Sequence, residues 1–132
     1  MDIVFLDANI LFSAAYQPES DFLRSWELLD VHLVSSAYAA DEARRNLQRA
    51  DRVDRLDTLL QSVRLVEATP HRRMLEGITL PAKDDPILLA AIAANATHLL
   101  TGDWKHFGPY RNTVVEGVLI LPTTAYFKTR PL

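Results

Sequence analysis

Acidic side chains stand at the ends of two strand-like runs almost a chain length apart. Ile3-Val4-Phe5-Leu6 runs directly into Asp7, and His98-Leu99-Leu100-Thr101 runs through Gly102 into Asp103. A third acidic spot, Asp84-Asp85, opens the helical stretch that leads into the second run. In an open parallel sheet the carboxyl ends of the strands share one edge, and ligands bind along it. Carboxylates remote in sequence would then meet in one small volume. Like charges crowd together only when a cation relieves their repulsion. The pattern therefore points to a divalent-metal enzyme. Hard oxygen donors, without cysteine or a histidine pair, suit Mg²⁺ or Mn²⁺.

Each acid also has a plainer reading. Asp7 could cap the helical turn that follows it. Asp103 could be a turn residue after Gly102. Asp85 precedes Pro86, and a proline at the first helical position makes the residue before it a good N-cap. On that reading Asp84 is a solvated neighbour or a support. Location at the sheet edge favours metal ligation for Asp7 and Asp103 over the local roles.

These acids need elements to position them. Residues 3–6 read as a buried strand, since every position is apolar. A short helical turn follows through Leu11 to Ala15. Pro18-Glu19-Ser20-Asp21 opens a helix with Leu23, Trp26, Leu28 and Leu29 at helical spacing. Val31 to Ser35 is a second strand, and Ser35 or Ser36 can cap a helix over about Ala37 to Leu47. Another helix covers about Asp51 to Ser62, with Val53, Leu56, Leu59 and Leu60 inward. Arg64-Leu65-Val66 is a third strand, and Pro70 to Gly77 a further helix. Asp85-Pro86 starts a helix with Ile87, Leu88, Ala91 and Ile92 on its core face. Leu99-Leu100-Thr101 is the fourth strand. Val114 to Leu121 holds the last strand or two, and Pro122 to Lys128 a final helix. Strands alternating with helices predict an α/β fold: a three-layer α/β/α sandwich around a four- or five-stranded parallel sheet.

The chain has 132 residues, which fits a single domain over 1–132. Net charge is −3, whereas a protein that grips nucleic acid with its whole surface is usually basic. Nucleic-acid binding would need a local basic patch or metal ions bridging to phosphate. The N-terminus lacks the basic and long apolar regions of a signal peptide, and no apolar run approaches a membrane span. A cytoplasmic location is the expectation, with no membrane partner.

Four segments together resemble the PIN-domain ribonuclease family, which includes VapC-like toxins of bacterial toxin–antitoxin pairs. They are Val4-Phe5-Leu6-Asp7-Ala8-Asn9, Ser35-Ser36 followed by Asp41-Glu42-Ala43-Arg44-Arg45, Lys83-Asp84-Asp85-Pro86-Ile87-Leu88, and Leu99-Leu100-Thr101-Gly102-Asp103-Trp104-Lys105-His106-Phe107. The resemblance covers the whole chain in order. It places the family's acids on Asp7, Glu42, Asp85 and Asp103 as catalytic, metal-holding residues, with Asn9 and Thr101 in support. It implies a Mg²⁺- or Mn²⁺-dependent endoribonuclease. One ion could activate water; two would flank the attacking and leaving oxygens. Either Glu42 or Asp85 could take a proton from the attacking water. Many relatives carry another acid near the end of the last motif, where this chain reads Trp104-Lys105-His106-Phe107. A protein antitoxin and a homodimer are partners implied by the resemblance. The alternative is a catalytically weak scaffold that binds protein or RNA.

Glu42 has its own plain reading, an exposed helix carboxylate paired with Arg45 or Asn46. Arg44, Arg45, Arg49, Arg52 and Arg55 crowd one region and could track RNA phosphates. Asp51, Asp54 and Asp57 interleave with them, which favours a salt-bridged solvated surface. Arg45 and Lys105 remain the candidate RNA contacts. A lone histidine does not make a metal site, so His106 reads as a surface or packing residue. Trp26 reads as core, and Trp104 as core or a base-stacking platform.

Overall fold

The computed structural model describes residues 1–67 and 84–129. The helix expected over Pro70 to Gly77 lies outside the described residues. The sheet order among the described residues is β3-β2-β1-β4-β6-β5. The strands are β1 (Asp2–Leu6), β2 (Val31–Ser36), β3 (Arg64–Val66), β4 (His98–Leu100), β5 (Val114–Val115) and β6 (Val118–Leu121). All neighbours pair in parallel except β5, which forms a short antiparallel hairpin with β6. The parallel sheet expected from sequence thus gains an antiparallel edge. Glu116 and Gly117 make its turn, both with positive φ, as a tight two-residue hairpin requires.

The helices are α1 (Ala8–Tyr16), α2 (Ala37–Leu47), α3 (Ala50–Leu60), α4 (Asp85–Ala93) and α5 (Thr123–Lys128). Chain order runs β1 to β2 to β3 in one direction, then returns past β1 to β4. Right-handed crossovers send α1 to α3 to one face and α4 to the other. The reversal makes the β1–β4 boundary a topological switch point, where a crevice opens beyond the carboxyl ends. α4 runs back against the strand direction, so its N-terminus lies at that same edge.

β1 sits at the centre, and Val4, Phe5 and Leu6 are fully buried. Leu99, Leu100 and Ile120 carry the core across the sheet, and Leu11, Ala39, Leu56 and Leu88 cover its faces. Three local devices fix the segment ends. Ser36 accepts from the backbone N–H of Ala39 at 3.1 Å and caps α2. Ser35 Oγ donates to the Leu6 carbonyl at 2.8 Å, which ties β2 to the last residue before Asp7. Trp26 donates its indole N–H to the Leu59 carbonyl at 3.0 Å and packs against the core.

One segment departs from its expected form. The helix expected after Pro18 is a 3-10 helix over Asp21–Glu27, capped by Ser20. It stops before Leu29, which is fully exposed rather than on a helical core face. Val31 must already be extended to pair with Asp2, and that leaves no room for another turn.

Candidate metal centre

Asp7 follows β1 directly and is 3% exposed. Its Oδ1 accepts from the N–H of Ala8 at 2.6 Å. Its Oδ2 accepts from the Thr101 hydroxyl at 2.7 Å and from Asn9 Nδ2 at 3.2 Å. The capping role and the edge position therefore coexist in one carboxylate. Thr101 is fully buried, and its oxygen also accepts the Asp103 N–H at 3.0 Å. Asn9 Oδ1 accepts the Gly102 N–H at 2.8 Å. These bonds stitch the end of β1 to the segment after β4. A Cβ on Gly102 would stand 3.3 Å from Asn9 Oδ1, so that close approach favours glycine.

Asp103 Oδ1 accepts the His106 N–H at 3.2 Å, an i to i+3 turn that swings the imidazole back over the carboxylate. His106 Nδ1 then lies 2.9 Å from Asp103 Oδ2. It lies 2.9 Å from Asp84 Oδ2 as well. Donor atoms of Asp84, Asp103 and His106 all fall within 4.8 Å of one another.

Asp84, and not Asp85, is the acid of that pair in this cluster. α4 begins at Asp85, and the Asp84 carbonyl accepts from Ile87 and Leu88. Asp84 therefore holds the N-cap position expected for Asp85. Its side chain makes no capping bond to the helix and turns to His106. It is 6% exposed, which excludes the solvated neighbour and leaves the support of the two roles expected from sequence. Asp85 is the first helical residue and half-buried.

Burial first of all pushes the Asp7 carboxyl up from its ordinary 3.8 to about 6. The bonds from Thr101 and Ala8 oppose that shift, while the charges of Asp84 and Glu42 reinforce it. Glu42, half-buried on α2, thus acts on Asp7 across the crevice. Asp7, which follows β1, thus feels the charges of Glu42 on α2 and Asp84 before α4, and Asp84 in turn clusters with Asp103 and His106, a group that includes neither Asp7 nor Glu42. Two carboxylates and an imidazole at this separation fit a divalent cation.

A family model of the PIN domain matches residues 3–105. The chain belongs to the PIN-domain family. Among the solved structures that resemble it are two toxin–antitoxin complexes. One is VapBC2 from Rickettsia felis bound to a DNA fragment from its promoter: 21% identity, TM-score 0.66, covering 89% of this chain and 96% of the other. The other is VapBC-1 from nontypeable Haemophilus influenzae: 20% identity, TM-score 0.55, covering 80% and 90%. No curated protein matches the sequence.

In this PIN domain the basic stretch is largely committed to local partners. Arg44 pairs with Asp41 and Asp57, Arg49 with Asp51, and Arg55 with Asp51 at 3.9 Å. Arg52 stacks over Tyr16 and donates to its carbonyl. This is the salt-bridged surface that the interleaved acids predicted. Arg45 on α2 and Lys105 beside Asp103 are exposed. Trp104 packs against the core and lies under the Arg111 guanidinium at 5.3 Å. No helix among the described residues is long and apolar enough to cross a membrane.

Asp84 and His106 belong to this candidate cluster, whereas the sequence read them as a solvated neighbour or support and as a surface or packing residue. For His106 a signal was present, since Asp followed three residues later by His is the spacing of a side-chain-to-backbone turn. For Asp84 the signal was ambiguous, because proline tolerates either of the first two helical positions.

Proposed function

We propose that this PIN domain is a divalent-metal-dependent endoribonuclease that hydrolyses RNA phosphodiester bonds, acting as the toxin of a type II toxin–antitoxin pair. The observation that carries the reading is the cluster of Asp84, Asp103 and His106 at the sheet edge, beside Asp7, whose carboxyl is raised to about 6 by burial and by the charges of Asp84 and Glu42. A site of self-repelling acids is costly unless a cation completes it. Asp84 and Asp103 would hold a Mg²⁺ or Mn²⁺ ion, with Asp7 and Glu42 adding negative charge around it and Asp85 at the helix start beside them. A bound divalent ion lowers the pKa of its water and offsets charge on the scissile phosphate.

The chain's own groups do the rest. Thr101 and Asn9 fix the Asp7 carboxylate so that it need not reorganise when charge changes nearby. Glu42, only half-buried, is placed to take a proton from an attacking water. Lys105 offers an exposed ammonium next to Asp103 for a substrate phosphate, and Arg45 a second positive group along α2. The two structural neighbours are VapBC complexes, which supports a protein antitoxin as partner. An antitoxin that inserts a basic side chain into this acidic crevice would complement its charge.

The test is cleavage of a labelled single-stranded RNA with Mn²⁺, with Mg²⁺ and with EDTA. Cleavage that needs the metal and disappears in Asp103→Asn supports the reading. RNA retained without cleavage under all three conditions would instead identify a binding scaffold.

A further inference from the structure

We infer that His106 is a nitrogen ligand of the metal in this site, so that the site prefers a transition-metal ion such as Mn²⁺ over Mg²⁺. The inference rests on the proposed metal site and specifies its donor set.

The geometry argues for it in two ways. An octahedral ion with bonds of about 2.1 Å keeps adjacent donors about 3.0 Å apart. His106 Nδ1 stands 2.9 Å from an oxygen of Asp84 and 2.9 Å from an oxygen of Asp103. Those two separations, also hydrogen-bond distances without an ion, match adjacent positions around one cation, and the Asp84 and Asp103 donor atoms lie within 4.8 Å of each other. The nitrogen is also held there independently of any ion. The His106 backbone N–H is bonded to Asp103 Oδ1, and Phe107, next in sequence, is fully buried. Phe107 anchors the turn in the core, and the imidazole projects back over the acids.

The chemistry follows from donor type. Mg²⁺ takes oxygen almost exclusively and dehydrates reluctantly. Imidazole suits iron, nickel, copper and zinc best; Mn²⁺ stands at the weak end of that series but accepts nitrogen more readily than Mg²⁺. Replacing one carboxylate or water by an imidazole therefore costs Mg²⁺ a favoured donor and gives Mn²⁺ an acceptable one. Where it replaces a carboxylate it also removes one negative charge from the set. That makes the site less dependent on pure electrostatic attraction, which serves both ions alike.

The experiment is calorimetric titration of the intact protein with MnCl₂ and with MgCl₂, in the wild type, His106→Ala and His106→Gln. It is paired with pulsed EPR of the Mn²⁺-loaded protein to detect nitrogen coupled to the ion. The wild type should bind Mn²⁺ at least about tenfold more tightly than Mg²⁺. Its nitrogen coupling should shift when histidine is ¹⁵N-labelled, and vanish in His106→Ala. The preference should narrow to about threefold or less in both variants. Mn²⁺ binding with no histidine coupling in the wild type overturns the inference while leaving the metal site intact. No binding of either ion to the folded wild type removes the site itself. Absence of histidine coupling in the wild type overturns the inference whatever the variants do, and His106→Gln supplies the second assignment if His106→Ala fails to fold.

Discussion

Neutralising Asp7 should reveal how much a buried, ionised carboxylate at this position costs the fold when metal is withheld. Burial, aided by Asp84 and Glu42, raises the Asp7 pKa from 3.8 to about 6. The sign is fixed by linkage. Between those two values the folded protein keeps a proton that the unfolded chain has released, so stability falls as pH rises through the window. Below pH 3.8 Asp7 imposes no ionisation penalty; above about 6 it imposes all of it. A shift of about two units, at about 1.4 kcal/mol each, amounts to about 3 kcal/mol. Asp7→Asn cannot ionise and escapes that term. It carries instead a constant cost of about 1–2 kcal/mol, because an amide nitrogen replaces an oxygen that accepts from Thr101 and Asn9. The stability of the variant relative to wild type should therefore climb by about 2.4 kcal/mol between pH 4 and pH 7.5 in EDTA. Urea unfolding at five or six pH values measures it, and the difference between the proteins cancels the other titrating groups. A difference that stays flat within about 0.5 kcal/mol would refute the claim that Asp7 ionises at a cost inside the fold.

Further expectations concern the same edge. Asp84→Asn should abolish metal-induced thermal stabilisation and RNA cleavage, whereas Asp85→Asn should leave most of both; equal losses would return the assignment to Asp85. At a hundred times its dissociation constant, Mn²⁺ should stabilise the wild type by about 2.7 kcal/mol, an upward shift in Tm that EDTA reverses and Asp7→Asn weakens. Thr101→Val keeps the shape but removes the bond to Asp7 Oδ2 and the acceptor for the Asp103 N–H. It should cost about 1–3 kcal/mol by urea unfolding at pH 7, and a loss below that range would show the network to be slack. Ser36→Ala deletes the cap of α2 and should cost about 1 kcal/mol with little effect on metal binding, read by the same unfolding assay and by calorimetry.

What the sequence determined by itself was the scaffold. Apolar Val4-Phe5-Leu6 could only be a buried strand. Ala37 to Leu47, with Ser36 before it, reads as a capped helix, and the structure draws it with the same bounds. Alternating elements implied a parallel sheet, and a parallel sheet brings its carboxyl ends to one edge, so Asp7 and Asp103 were legible as neighbours. These features follow from local chemistry and from period, which adjacent residues carry. Tertiary structure decided the finer arrangement. Whether Asp84 or Asp85 faces the crevice turns on one residue of helix register, about 100° of rotation, and proline permits both. Whether His106 is a surface group depends on Phe107 burying itself and on the Asp103 turn closing over the acids. The exposure of Leu29 depends on how early Val31 must pair with Asp2. Each outcome is set by a partner distant in sequence, and no local propensity encodes where that partner will stand.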